Sequence, residues 1–163
     1  GEAIYARPLT RAEGEARLAH VHDTYHGQLT ARLDALRREQ GFALLIDCHS
    51  MPSVQPGRRG LPDIVLGDRF GSSADTRLMA RIERSFRSQG FTVSRNAPYA
   101  GGYTTRRYGR PRRGIHALQV EINRGLYMDE QRITRSAGFS TLKDTLDLVI
   151  ADIIDAGRLL PRA

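Results

Sequence analysis

Gly41-Phe42-Ala43-Leu44-Leu45-Ile46-Asp47-Cys48-His49-Ser50 is the stretch on which the fold turns. A glycine is followed by an unbroken apolar run, which passes directly into polar residues. A short continuous run of this kind predicts a strand buried on both faces, as in a parallel or mixed sheet covered by helices. Polar side chains at the carboxyl end of such a strand lie where open α/β sheets place their chemistry. The run is also far shorter than the roughly 20 apolar residues that a membrane span needs.

Upstream of it the sequence reads as one long helix. Thr10 and Glu13 have the spacing of a capping box. Leu18, Val21, Tyr25, Leu29, Leu33 and Leu36 then recur in steps of three and four, a single stripe from about Ala12 to Glu39, and Gly41 stops it. His22 and His26 share a face at metal-compatible spacing, but without a third ligand the plainer reading is a polar helix edge near the core.

Downstream, Met51–Ser73 is rich in Pro, Gly, Arg and Asp. It reads as a long loop with a short strand at Ile64–Leu66. A helix capped by Ser73 or Asp75 and stopped by Gly90 follows, with Leu78, Ile82 and Phe86 on one face. Phe91–Arg95 reads as a strand, Asn96–Gly114 as a second long loop, and Ala117–Ile122 as a strand. A last helix, capped by Ser140, spans about Thr141 to Ala156 with Leu142, Leu146, Val149, Ile150 and Ile153 inward. This order predicts an α/β fold with a mixed sheet and helices on both faces.

The chain has 163 residues, 25 basic and 18 acidic, for a net charge of +7; every base except Lys143 is Arg. That length suits a single domain, residues 1–163. Cys48 is the single cysteine, which excludes an internal disulfide and fits a reducing compartment; together with a start that lacks a basic and apolar leader, it leads to the expectation of a cytoplasmic protein. The charge suits an anionic partner. Tyr99, Tyr103 and Tyr108 interleave with Arg106, Arg107, Arg110, Arg112 and Arg113 as in single-strand binders. No nucleic-acid recognition motif accompanies them, so nucleic acid is not the expected partner.

Two strand ends carry candidate chemistry. His49 is a potential zinc ligand, and Asp47 is expected on the opposite face, as an anchor. Glu121, leaving an apolar strand, suits a general base. Cys48 and His49 are adjacent in a strand and face opposite ways, which argues against a Cys–His dyad. Gly101-Gly102 lacks both phosphate-loop patterns and reads as a tight turn that lets backbone approach a ligand.

Four blocks together resemble the N-formylglutamate amidohydrolase family. They are Asp47-Cys48-His49-Ser50-Met51-Pro52-Ser53, Leu66-Gly67-Asp68-Arg69-Phe70-Gly71, Asn96-Ala97-Pro98-Tyr99-Ala100-Gly101-Gly102-Tyr103 and Gln119-Val120-Glu121-Ile122-Asn123-Arg124-Gly125-Leu126-Tyr127. Ile4-Tyr5, Pro8-Leu9-Thr10 and Tyr25-His26 are similar to it too. The resemblance implies a zinc-carboxypeptidase-like fold and a Zn²⁺-dependent amide hydrolase that converts N-formyl-L-glutamate to formate and L-glutamate in histidine breakdown. It implies His49 as a zinc ligand and Glu121 as the catalytic glutamate. Arg106 and Arg107, the Gly101-Gly102 turn and Asn123 are the expected contacts to a small anionic N-acyl amino acid. The family's upstream metal block and its Asn-Arg carboxylate-binding block have no counterpart before Gly1. The expectation is therefore the carboxyl-terminal part of a family domain, with one matched ligand and little zinc bound by this chain alone.

Overall fold

A computed structural model describes residues 3–58 and 60–157. Its centre is a four-stranded mixed sheet in the order β1-β4-β2-β3, built from β1 (Ala43–Met51), β2 (Ile64–Gly67), β3 (Val93–Arg95) and β4 (Ile115–Asn123). β1 runs parallel to β4, β2 parallel to β3, and β2 antiparallel to β4. Helices cover both faces, as the element order predicts.

The strand that is buried on both faces is β4, flanked by β1 and β2; β1 is an edge strand, and Leu44, Leu45 and Ile46 are only half-buried. The expectation for Phe42–Ile46 is thus corrected. An apolar run reports burial of side chains, not the position of a strand within its sheet.

The amino-terminal helical run has three parts: α1 (Arg11–Arg17), one π-helical turn (Leu18–Asp23) and α2 (Thr24–Gln40). The Thr10–Glu13 capping box forms as its spacing predicts, and Gly41 closes α2 in the left-handed conformation at φ 82°. The wide turn breaks the single stripe. Leu33 is buried and Leu29 and Leu36 pack beside it, whereas Leu18, Val21 and Tyr25 are exposed.

α3 (Thr76–Ser88) starts at Asp75, whose carboxylate accepts the Arg77 and Leu78 amides. It presents Leu78, Met79, Ile82 and Phe86 to the sheet. α5 (Gly138–Gly157) lies beside it, joined by the Arg81–Asp152 ion pair at 2.9 Å. α5 begins before the expected cap Ser140, and Ile150 is exposed rather than inward. Together α3 and α5 cover the face carrying Ile64, Leu66, Leu118 and Val120. The expected second loop holds a helix, α4 (Tyr103–Tyr108), and a 3₁₀ turn at Pro111–Arg113. α4 and α2 close the lower half of the other face over Ala43, Leu45, Ile115 and Ala117. A short hairpin, β5 (Met128–Asp129) with β6 (Thr134–Arg135), precedes α5. Among the described residues, no helix is long and apolar enough to cross a membrane.

Candidate active site

Beyond the apolar half covered by α2 and α4, the same sheet face turns polar. Strand side chains alternate faces, so Asp47 and His49 of β1 lie on one side with Gln119 and Glu121 of β4. The register sets His49 opposite Glu121 and Asp47 opposite Gln119. His49 Nε2 lies 3.2 Å from Asp47 Oδ1, and His49 Nδ1 lies 3.9 Å from Glu121 Oε1. Asp47 is therefore a direct neighbour of His49, not a residue of the opposite face, because residues two apart in a strand share a side. Cys48 points away from this group; burial first, and then the Asp47 carboxylate, push its thiol up from the ordinary range, which disfavours the thiolate.

Glu121 is buried, and its Oε1 accepts a 2.8 Å hydrogen bond from Gln119 Nε2. The other end of the same amide, Gln119 Oε1, accepts the Gly102 N–H at 2.8 Å. The orientation is chemically forced: a backbone N–H can only donate, so the amide oxygen must face Gly102 and its nitrogen Glu121. Gln119 thus ties the Gly101–Gly102 turn to the carboxylate. Sequence reasoning assigned Gln119 no role, although its place two residues before Glu121 puts both on one face.

The glycines allow this close approach. Gly101 sits at φ 106°, and a Cβ on Gly67 at the end of β2 would lie 2.6 Å from the Gly101 nitrogen. The turn is braced from below by Asp68, whose Oδ1 accepts from the Gly71 amide and from Asn96 Nδ2; Asn96 Oδ1 accepts from the Asp68 and Phe70 amides. Arg69 donates to the Gly101 carbonyl at 3.3 Å.

The other expected contacts fall elsewhere. Asn123 caps the 3₁₀ turn Arg124–Leu126, accepting from the Gly125 amide and donating to the Pro62 carbonyl. Arg106 lies over the Tyr103 ring, and Arg107 donates to the Tyr103 hydroxyl at 2.7 Å while facing a cavity beside α2. The structure therefore brings together Glu121, His49 and, through Gln119, the glycine turn; it leaves Arg106, Arg107 and Asn123 outside that group's hydrogen bonds. His26 is a satisfied core histidine, its Nδ1 2.6 Å from the Tyr108 hydroxyl, in line with the plainer reading of the His22/His26 pair. Near the sheet edge, His49 also lines a largely apolar cavity of about 340 Å³ with Ser50, Ile122, Tyr127, Phe139 and Leu142.

As to metal, both His49 nitrogens face carboxylates, and among the described residues no three His, Cys, Asp or Glu side chains converge on one point. A catalytic zinc usually takes three protein ligands. The residues described here do not by themselves make such a site.

Comparison with known proteins places the chain in a family. The family model for N-formylglutamate amidohydrolase matches residues 1–128. An N-formylglutamate deformylase of Pseudomonas aeruginosa is 41% identical over 137 residues, covering 77% of this chain and 51% of its own length. One of Pseudomonas putida is 36% identical over 137 residues, covering 80% and 51%. The crystal structure of an N-formylglutamate amidohydrolase from Ralstonia eutropha JMP134 superposes with a TM-score of 0.80 at 37% identity, over 94% of this chain and 56% of that one. A gene product of Agrobacterium tumefaciens shares the fold at a TM-score of 0.63 and 22% identity, over 90% and 56%. The chain spans about half the length of the curated relatives it matches.

Proposed function

The chain belongs to the N-formylglutamate amidohydrolase family, and from that premise we propose that its polar sheet face is the general-base half of an active site hydrolysing N-formyl-L-glutamate to formate and L-glutamate. The observation that carries the reading is the buried Glu121, held by Gln119 and facing His49 across the β1–β4 register.

In this chemistry the oxygen of water bonds to the formyl carbon and the C–N bond breaks. Glu121 takes a proton from the attacking water and returns it to the leaving amine. Asp47 holds the His49 ring toward Glu121. The Gly101–Gly102 turn, tied to this group by the Gly102 N–H on Gln119, forms the wall against which the substrate backbone would lie. Arg106 is a candidate for a substrate carboxylate, as a guanidinium pairs with carboxylates in fork geometry. His49 is the zinc donor this chain would offer, supported by its place in the Asp-x-His-Ser block. Two further donors would have to come from outside the described residues, so no step is routed through the metal. A place at the end of a route of histidine breakdown, in a reducing cytoplasm, completes the proposal.

The test is formate release from N-formyl-L-glutamate, measured with and without added Zn²⁺, on this chain and on its Glu121→Gln variant. A drop of about 10²–10⁴-fold is expected for the loss of a general base. Activity unchanged in the variant removes Glu121 from its role. No formate release under either condition favours a non-catalytic relative.

A further inference from the structure

The basic residues of the chain are not spread evenly over its surface. Between α2 and α4, a cavity of about 360 Å³ is lined by Arg37, Arg107, Arg110 and Arg113, with Tyr108 and Ile115 in its lining. Asp34 is the acid among the described residues that line it. Arg37 comes from α2, Arg107 from α4, and Arg110 and Arg113 from the turn that leads into β4. Two segments far apart in sequence, α2 and the stretch from α4 into β4, thus converge their charges on one concave surface.

Two of these guanidinium groups are already positioned. Arg110 Nη1 donates to the Arg106 and Gly109 carbonyls at 3.0 and 2.6 Å. Arg107 Nη1 donates to the Tyr103 hydroxyl, and the group lies 5.7 Å from the Tyr108 ring centroid. Each guanidinium carries five N–H donors, so most remain unused. Among the described residues, neither the Arg37 nor the Arg113 guanidinium has a hydrogen-bond or ion-pair partner. Like charges held together repel one another, and a bound anion converts that repulsion into attraction.

We propose that this cavity binds a compact multivalent oxyanion, a phosphate or diphosphate group, at a site separate from Glu121. Forked guanidinium donors fit phosphate oxygens bidentately. The volume admits a small molecule rather than a polymer. Tyr108, the aromatic residue of the lining, is buried and offers no open face for a stacked base. Six residue steps along β4 separate Ile115, at the cavity, from Glu121, a span of about 20 Å along a strand. The site does not depend on the hydrolase reading.

The test is calorimetric titration of the chain with inorganic pyrophosphate at fixed ionic strength. One saturable site is expected. The double variant Arg37→Gln/Arg113→Gln should lose at least tenfold in affinity, and Arg113→Gln alone, at an exposed side chain, should weaken binding without touching the fold. Arg77→Gln, an exposed arginine of α3 outside the cavity, should bind as the parent does. Circular dichroism verifies that each variant is folded. Heats that never saturate, or an equal loss in Arg77→Gln, overturn the site in favour of general attraction to a basic surface. Tight binding of a single-stranded dT12 oligonucleotide without a saturable pyrophosphate site overturns it in favour of nucleic acid. Formate release is not part of the readout, so failure here leaves the hydrolase proposal standing and the reverse also holds.

Discussion

Replacing Gln119 with Met removes the side chain that joins the glycine turn to Glu121, at nearly constant volume. Two hydrogen bonds disappear: Gly102 N–H to Oε1 at 2.8 Å and Nε2–H to Glu121 Oε1 at 2.8 Å. The first is a neutral bond at the edge of the loop, and its donor can turn to water, so its loss costs about 1 kcal/mol. The second ends on a buried carboxylate and costs about 1.5–3 kcal/mol. The single variant should therefore be destabilised by about 2.5–4 kcal/mol in urea unfolding followed by far-ultraviolet circular dichroism. The decisive measurement is a double-mutant cycle with Glu121→Leu. In that background the carboxylate is gone, and Gln119→Met should cost only about 1 kcal/mol, leaving a coupling of about 1.5–3 kcal/mol between the two positions. A coupling below about 0.5 kcal/mol, the ordinary scatter of independent sites, would show that Gln119 does not hold Glu121, and the link from the glycine turn to the proposed base would fall.

Gly67→Ala places a Cβ 2.6 Å from the Gly101 nitrogen and 2.8 Å from the Ala100 carbonyl carbon, both backbone atoms, so the turn must move; a loss of about 1–3 kcal/mol in urea unfolding is expected, and unchanged stability would refute the close packing. Burial holds the His116 imidazole below its ordinary range, partly countered by Asp75, whose amide donates to its Nδ1. The unfolded chain therefore takes up this proton first as pH falls, and the stability held above about pH 6.5 is lost below it, with a slope of at most about 1.4 kcal/mol per pH unit. His116→Gln should flatten the stability curve between pH 7 and 5.5, and an identical slope in parent and variant would contradict the assignment. Cys48, raised by burial and by Asp47, should alkylate with iodoacetamide at pH 7.5 more slowly than free cysteine; a rate equal to or above the free thiol would contradict its placement.

Much of the fold is legible because its signals are local. The Thr10–Glu13 cap, the Asp75 start of α3 and the apolar stripes of α3 and α5 are each set by residues within a few positions of one another. Strand order is not local, so an apolar run could announce β1 but not reveal that it lies at an edge while β4 takes the centre. α4 was hidden for a similar reason: after Gly101-Gly102 a six-residue segment rich in Arg and Tyr carries little apolar periodicity. It folds because Thr105 and Tyr108 are buried against neighbours distant in sequence. At the candidate site, a period of two already puts Asp47 with His49 and Gln119 with Glu121. The register that sets one pair opposite the other, and the turn that reaches Gln119 from the far side, come only from tertiary structure.

The division of one sheet face explains how a chain with a charge of +7 can present an acidic site. At the start of β4 the face is apolar and sealed by α2 and α4, and those same helices turn their outer sides into the arginine-lined cavity. Toward the end of β4 the face instead carries Asp47 and the buried Glu121, and two arginines of the flanking loops are committed elsewhere: Arg69 to the Gly101 carbonyl and Arg124 to Ser50. The two carboxylates thus keep their acceptor character, while the basic belt supplies a positive field that draws anions toward the molecule. Such a field raises the rate of encounter with a dicarboxylate more than it strengthens the bound state, and salt screens it over about 8–10 Å. Attraction and the proposed proton transfer can therefore reside in separate parts of one small fold, because β4 carries the proposed base at one end and leads out of the arginine turn at the other.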